Sequence, residues 1–346
     1  MKRPAAGLGF ERFSGLYLWA LFIVIFTLWQ PDLFATGATV HSVAADRAIG
    51  ALLALGIVVP LICGVYDLAI GATANLSTII AVLLLNRGWN LVAAAVFAIV
   101  VGTTIGAVNG FIVVRLKVNS FITTLGMASI LAAVQIIVTG NLQPRPATNT
   151  AWDAFTQTTV FGFQIVVIYM LVIAAVLWWA LGHTPAGRYL YAIGSSPDAA
   201  RLSGVRVDFY TWTSLIASGT IAGIAGVLYA SLSGPSLSYG SGLLLPAFAA
   251  VFLGSTQITP GRFNIWGTVL AIYVLATGVK GLQLVTDVQW LDPMFSGVAL
   301  IAAVAVAIGR QRSGDERKRK RLVGTESTPP AQRAGEDADT HSTAGT

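Results

Sequence analysis

The chain has 346 residues, 55% of them hydrophobic and only 10% charged; an ordinary soluble domain carries about 25% charged residues, so a water-covered globule is excluded and burial in lipid is required. The net charge of +6 could suggest a nucleic-acid partner, but seven of the 21 basic residues lie in RQRSGDERKRKR, 310–321, directly after the last apolar run. Clusters in that position fix orientation and meet anionic lipid, so the lipid membrane is the expected partner and nucleic acid is not.

Residues 1–15 form a short basic N-terminal segment. The apolar run 16–34 is longer than the ~7–15 residues of a signal-peptide core. Although SVAA at 42–45 resembles a cleavage site, the run is expected to stay as a first span. Further spans are expected at 48–65, 67–85, 91–114, 120–139, 161–181, 212–232, 243–255, 263–283 and 290–308, about ten in all and some of them short or broken. The fold class is an all-α polytopic integral membrane protein with a transmembrane domain over 16–309. With the N-terminus in the cytoplasm, sixteen basic residues fall on the inner side: Lys2, Arg3, Arg12, Arg115, Lys117, Arg188, Arg201, Arg206, Arg262 and the seven of 310–321. Arg47, Arg87, Arg145 and Lys280 fall outside. This bias places both termini in the cytoplasm. The tail 310–346 is basic and then, after 322, rich in Thr, Ser, Pro, Gly and acidic residues; with little to bury, it is expected to be disordered.

Gly102, Gly106 and Gly110 form one small-residue ridge, and Gly219 and Gly223, with Gly226 beside them, form another. Such ridges let helix backbones approach closely in lipid, and no solute-binding role is assigned to them. Segments 102–135 and 219–257 both run from a Gly-rich helix through a short loop into a Thr/Ser-containing apolar stretch, but their identity is too faint to count as evidence of an internal repeat.

Polar groups inside spans carry more information. An ionisable residue there costs ~2.5–3.5 kcal/mol on insertion scales. Asp67, in GVYDLAIGATANLST, is the one carboxylate flanked on both sides by membrane-length apolar sequence, with Pro60, Gly64 and Gly71 around it. That density of Pro and Gly predicts a broken or unwound helix, which is tolerated at depth only where protein or a watery cavity satisfies the backbone. Two readings stay open: Asp67 and Asn75 face a translocation path, or Asp67 caps the following helix. Asn109, Thr123 and Thr124 are further path candidates; adjacent threonines face different directions, so at most one lines a path while the other bonds back to its own helix. These hydroxyls and amides suit a small uncharged polyol.

No GxxxxGK[ST], HExxH or GxSxG pattern occurs, the only cysteine is Cys63, and His41, His183 and His341 are scattered. The chain is therefore expected to be neither an enzyme nor the holder of a metal or a cofactor. The loop 183–210 stands apart. In GRYLYAIGSSPDAARLSGVRVD, 187–208, Ser196 is a good N-cap, Pro197 suits the first helical position, Asp198 complements the positive helix end and Gly204 is a natural terminator. The predicted helix, 197–203, is too short to be stable alone, so it must dock on something.

That segment resembles the cytoplasmic coupling loop of permease subunits from bacterial ribose-type and other simple-sugar ABC importers. The resemblance continues through GIAGVLYASLSG, LLLPAFAAVFLGST and PGRFNIWGT, and upstream through GVYDLAIGA and GAVNGFIVVRLKVNSFITTLGM, covering about residues 16–308. Val65, Tyr66 and Ala69 depart from the family's smaller or Ser residues beside the aspartate, and Ser195 and Ser196 replace a common Gly-Asn pair. The resemblance implies a multi-pass subunit of a bacterial inner membrane, working with a second permease subunit, an ABC ATPase that binds ATP and Mg, and an extracytoplasmic sugar-binding protein. It also implies that Gly187, Arg188, Gly194, Asp198, Ala199, Ala200, Arg201, Leu202 and Gly204 form the coupling surface. Asp198 and Arg201 would make polar contacts with the ATPase, while Ala199, Ala200 and Leu202 would pack against it. The alternatives are a facilitator or secondary transporter working without ATP, and the same permease role for a nucleoside or a branched-chain amino acid.

Overall fold

Helix α3, Gly37–Ile62, begins where Thr36 Oγ1 accepts the Thr39 N–H at 3.2 Å and ends two residues after its own Pro60. Every residue from Ala48 to Ile62 is buried, which makes α3 the axis of the bundle. A computed structural model describes residues 10–147, 150–286, 288 and 290–305. Lys2, Arg3, the basic run 310–321 and the tail after it lie outside the described residues.

The remaining helices are α1 (Phe10–Trp29), α2 (Pro31–Phe34), α4 (Ile70–Asn86), α5 (Leu91–Arg115), α6 (Ser120–Thr139), α7 (Thr150–Gln157), α8 (Ile165–His183), α9 (Pro185–Ser195), α10 (Pro197–Leu202), α11 (Val207–Ser233), α12 (Tyr239–Gly242), α13 (Leu244–Gly254), α14 (Ile265–Thr286) and α15 (Leu291–Ala305). Their starts follow from the sequence: Asn90 and Asn119 accept the Val92 and Phe121 N–H groups at 2.8 and 2.9 Å, capping α5 and α6. Among the described residues six helices are long and apolar enough to cross a membrane: α3, α5, α6, α8, α11 and α14. The other four expected spans correspond to the shorter apolar helices Gly15–Trp29, α4, Tyr239–Gly254 and α15.

Two expectations needed adjustment. The sixth span begins at Ile165 instead of 161, because Thr159–Val160 and Phe163–Gln164 pair as a small antiparallel hairpin. The second span starts at Gly37, well before 48.

The burial pattern separates lipid-facing from central helices. The apolar window of α3 is 89% buried, whereas those of α5 and α6 are each 22% buried. α5 buries one stripe, Ala94, Ala98, Gly102, Gly106, Asn109 and Gly110, and exposes Val96, Phe97, Val100 and Phe111. That stripe crosses α11, where the two glycine ridges interlock. A Cβ on Gly102 would sit 2.6 Å from the Gly219 carbonyl oxygen, so only backbone fits at the crossing.

α3–α4–α5–α6 and α11–(α12, α13)–α14–α15 have the same order: a long buried helix, a break, a short helix and two more. Their packing matches too, since α3 meets α13 and α14 as α11 meets α4 and α5. α3 ends, and α11 starts, at the end of the bundle that carries α9 and α10, so the two repeats run in opposite directions. This inverted arrangement is common in transporters. The similar segments 102–135 and 219–257 occupy non-equivalent positions in it. The described residues up to Val304 form one compact unit.

Candidate functional site

The helices that follow the two breaks, α4 and α12, meet inside the bundle. After Pro60 the chain turns at Gly64, whose φ of +78° favours glycine, and runs unwound to Ala69. Backbone N–H groups freed here are taken up by α6. Tyr66 N–H donates to Ser120 Oγ at 3.2 Å and Leu68 N–H to Thr124 Oγ1 at 3.0 Å. Asp67 is 2% exposed; one carboxyl oxygen accepts the Ala69 N–H at 3.0 Å and the other accepts the Ser218 hydroxyl at 2.7 Å. Asp67 thus braces the entry to α4 and also ties it to α11, and both of its oxygens are engaged within the protein.

Asn75 performs the matching task at the second break. Its Oδ1 accepts the Gly240 N–H at 2.9 Å and its Nδ2 donates to Gln135 Oε1 at 3.4 Å, while Gln135 donates to the Ala72 carbonyl at 3.3 Å. α4 and α12 touch backbone to backbone here, since a Cβ on Gly71 would strike the Gly240 carbonyl.

The neighbouring threonines divide as their spacing requires. Thr124 bonds back to the Ser120 carbonyl at 2.8 Å and supports Leu68. Thr123 Oγ1 and Asn109 Oδ1 are buried without a partner among the described residues. Asn109 lies one turn after Ile105 on α5 and Thr123 one turn before Met127 on α6; Ile105 and Met127 pack into one apolar cluster with Ala72, Leu76 and Leu131. Ser218, Gln135 and Gly240 were not singled out from sequence. Ser218 sits one position before a ridge glycine, but nothing local marks it as the partner of a carboxyl group 151 residues away.

At one end of the bundle the 183–210 loop folds as two helices, α9 and α10, and not one. Ser196 caps α10 by accepting the Ala199 N–H at 3.4 Å, Pro197 occupies the first position, and Gly204 adopts φ +80°. Ala200, 5% exposed, belongs to the main core with Leu190, Ile193 and Val207. It therefore holds α10 on its own bundle. Of the three side chains expected to pack on a partner, only Ala199 and Leu202 face outward, with Leu202 90% exposed. Asp198 and Arg188 are exposed, and Arg201 pairs with Asp208 at 3.0 Å. Gly187 abuts the Leu181 backbone, and Gly194 abuts the carbonyl of Ile62, the last residue of α3. Tyr191 donates to the Phe263 carbonyl at 2.7 Å and lies under the Arg262 guanidinium, 4.1 Å from its ring centre. Burial raises the Tyr191 hydroxyl pKa above its ordinary value, and Arg262 partly opposes this. Among the described residues no three His, Cys, Asp or Glu side chains converge to hold a metal.

A bundle of membrane-capable helices built as inverted repeats around paired breaks is a transporter's membrane subunit. A solved structure described as an inward-facing conformation of a metal-chelate type ABC transporter shares the fold, with a TM-score of 0.51 over 86% of this chain and 97% of that one at 16% identity. The model of the branched-chain amino acid transport system / permease component family matches residues 39–304, and the chain belongs to that family. It is 29% identical over 300 residues to the ribose import permease protein RbsC of Escherichia coli K12, covering 86% of this chain and 93% of the relative. The D-allose transport system permease protein AlsC of the same organism is 26% identical, with 86% and 91% covered. The autoinducer 2 import system permease protein LsrC of Yersinia pseudotuberculosis is 31% identical over 272 residues, with 77% and 76% covered.

Proposed function

We propose that this chain is the membrane-spanning subunit of an importer that carries ribose or a similar simple sugar into the cytoplasm, driven by ATP hydrolysed on separate ATPase subunits. The observation that carries the reading is the backbone contact between Gly194 and Ile62. It joins an outward-facing helix pair to the residue directly before the broken segment that holds Asp67. A push on α9–α10 is thereby delivered to the break, and through Tyr191 and Phe263 to the loop before α14. ATP drives such a change only if the ATPase contacts one arrangement of the lever better than the other.

In this reading Leu202, Ala199 and Asp198 meet the ATPase, and ATP and Mg stay on that partner. A second permease subunit completes the pore, and an extracytoplasmic binding protein delivers the solute. Asp67, Asn75 and Thr124 hold the broken segments that gate the path; Asn109 and Thr123 offer their unpartnered oxygens to the solute or its water. A sugar is favoured over an amino acid because the curated relatives are ribose, allose and autoinducer 2 permeases. The orientation, with both termini in the cytoplasm of a bacterial inner membrane, is supported by charge. Arg115, Lys117, Arg188, Arg201, Arg206 and Arg262 fall at helix ends on the α9–α10 side, while Arg47, Arg87, Arg145 and Lys280 fall toward the other.

The test is solute uptake into proteoliposomes with each partner supplied or withheld. ATP-dependent uptake requiring both partners is expected, and accumulation by this chain alone refutes the reading. Leu202→Asp is expected to insert and unfold like the native chain but to lose at least tenfold of its ATP-driven uptake. Native uptake by that variant removes α10 as the lever. Ala200→Asp, by contrast, forces a carboxylate into the core and is expected to fail at folding.

A further inference from the structure

We propose that the groove between the end of α5 and the start of α11 binds the headgroup phosphate of an anionic phospholipid. The groove has a volume of about 660 Å³ and is lined by Arg115 from α5, by Arg201 and Arg206, and by Phe209 and Trp212 of α11. Asp208 is its only carboxylate and is already engaged by Arg201 at 3.0 Å. Arg206 lies over the Phe209 ring at 5.0 Å, and among the described residues neither Arg206 nor Arg115 has a carboxylate partner. The lining therefore carries two uncompensated positive charges.

Its surroundings specify a lipid over a free anion. Phe111, Phe209 and Trp212 are exposed beside the arginines, and Val108 one turn away is exposed as well. A ligand that satisfies both halves has a phosphate at one end and hydrocarbon at the other. The Trp212 indole donates to the Ala107 carbonyl at 2.9 Å, which fixes it across the seam between α11 and α5; an amphipathic ring in that position suits the membrane–water interface. Basic pockets between membrane helices at this level are suited to anionic headgroups. One phosphate shared by Arg115 and the arginines of the α10–α11 stretch would tie the outward-facing helix pair to the bundle. Lipid binding does not depend on the transport reading; only its effect on coupling does.

The full chain in nanodiscs would be titrated with phosphatidylglycerol or phosphatidylcholine carrying brominated acyl chains. The signal from Trp212 is taken as the quenching lost in Trp212→Phe. Selective quenching by phosphatidylglycerol is expected. The Arg115→Gln, Arg206→Gln double variant should weaken it roughly thirtyfold, the electrostatic worth of two basic groups at an anionic lipid surface. Raising salt to about 0.5 M should suppress the selectivity of the unaltered chain, a measurement independent of whether the variant folds. Equal quenching by both lipids, salt-insensitive selectivity, or native selectivity in the double variant overturns the proposal. So does competition by millimolar inorganic phosphate, which would mark a small-anion site, or shielding of Trp212 from both lipids by added ATPase subunit, which would mark a protein interface. If the lipid binds but no ATP-driven uptake is found, the site stands and the transport reading falls.

Discussion

Asp67 offers the sharpest test, because bracing a break and lining a path predict different losses. Asp67→Ala removes the acceptor of two buried donors, the Ala69 N–H and the Ser218 hydroxyl. A buried group left without its partner costs about 1–3 kcal/mol, so about 2–6 kcal/mol is expected for the variant. Ser218→Ala leaves one carboxyl oxygen unmet and should cost about 1–3 kcal/mol. The groups are in direct contact, so the double variant should fall short of the sum by roughly 0.5–3 kcal/mol. Unfolding would be followed by tryptophan fluorescence in mixed micelles titrated with denaturing detergent, since nine tryptophans report on the chain. Additivity to within about 0.5 kcal/mol would show that the 2.7 Å contact contributes nothing. A fully stable Asp67→Ala variant that no longer transports would make Asp67 a path residue and refute its bracing role.

Gly102→Leu puts a side chain where its Cβ already stands 2.6 Å from the Gly219 carbonyl oxygen; the α5–α11 crossing should open, and the purified variant should aggregate or unfold far earlier by fluorescence-detected gel filtration. Tyr191→Phe removes the bond to Phe263 and should lower stability by about 0.5–1.5 kcal/mol at neutral pH. Because burial raises the folded-state pKa above the ordinary tyrosine value of 10.0, the Tyr191 contribution is complete below that value and is lost as pH rises through the higher folded value. Unfolding midpoints of the two chains should therefore converge at strongly alkaline pH, and a gap that widens there counts against the assignment.

Much of the architecture was legible because lipid imposes one rule on each segment separately: a span must be apolar and must bond its own backbone. Six of the ten expected spans correspond to described helices long and apolar enough to cross a membrane and the other four to shorter apolar helices, and the Ser196 cap, with Gly204 as terminator, acts within a few residues of itself. The unwound stretch at Asp67 was legible for the same reason, since Pro60 and Gly64 interrupt a helix locally.

What escaped the sequence was every decision that depends on a distant partner. Whether Asp67 met water or protein turned on Ser218, and Asn75 turned on Gly240, residues 151 and 165 positions away. Ala200 and Leu202, two apolar residues two positions apart, read alike in the sequence, yet one is in the core and the other in solvent. The inverted repeat was hidden because equivalent helices share a packing role and not a residue pattern. Sequence alone determined that this chain lives in lipid and where one of its helices must break, since those are local balances of apolar surface and backbone hydrogen bonding. Only the tertiary structure decided which helix is central, which polar groups satisfy one another and which face of the short lever is presented, because each depends on what surrounds a side chain once the helices have packed.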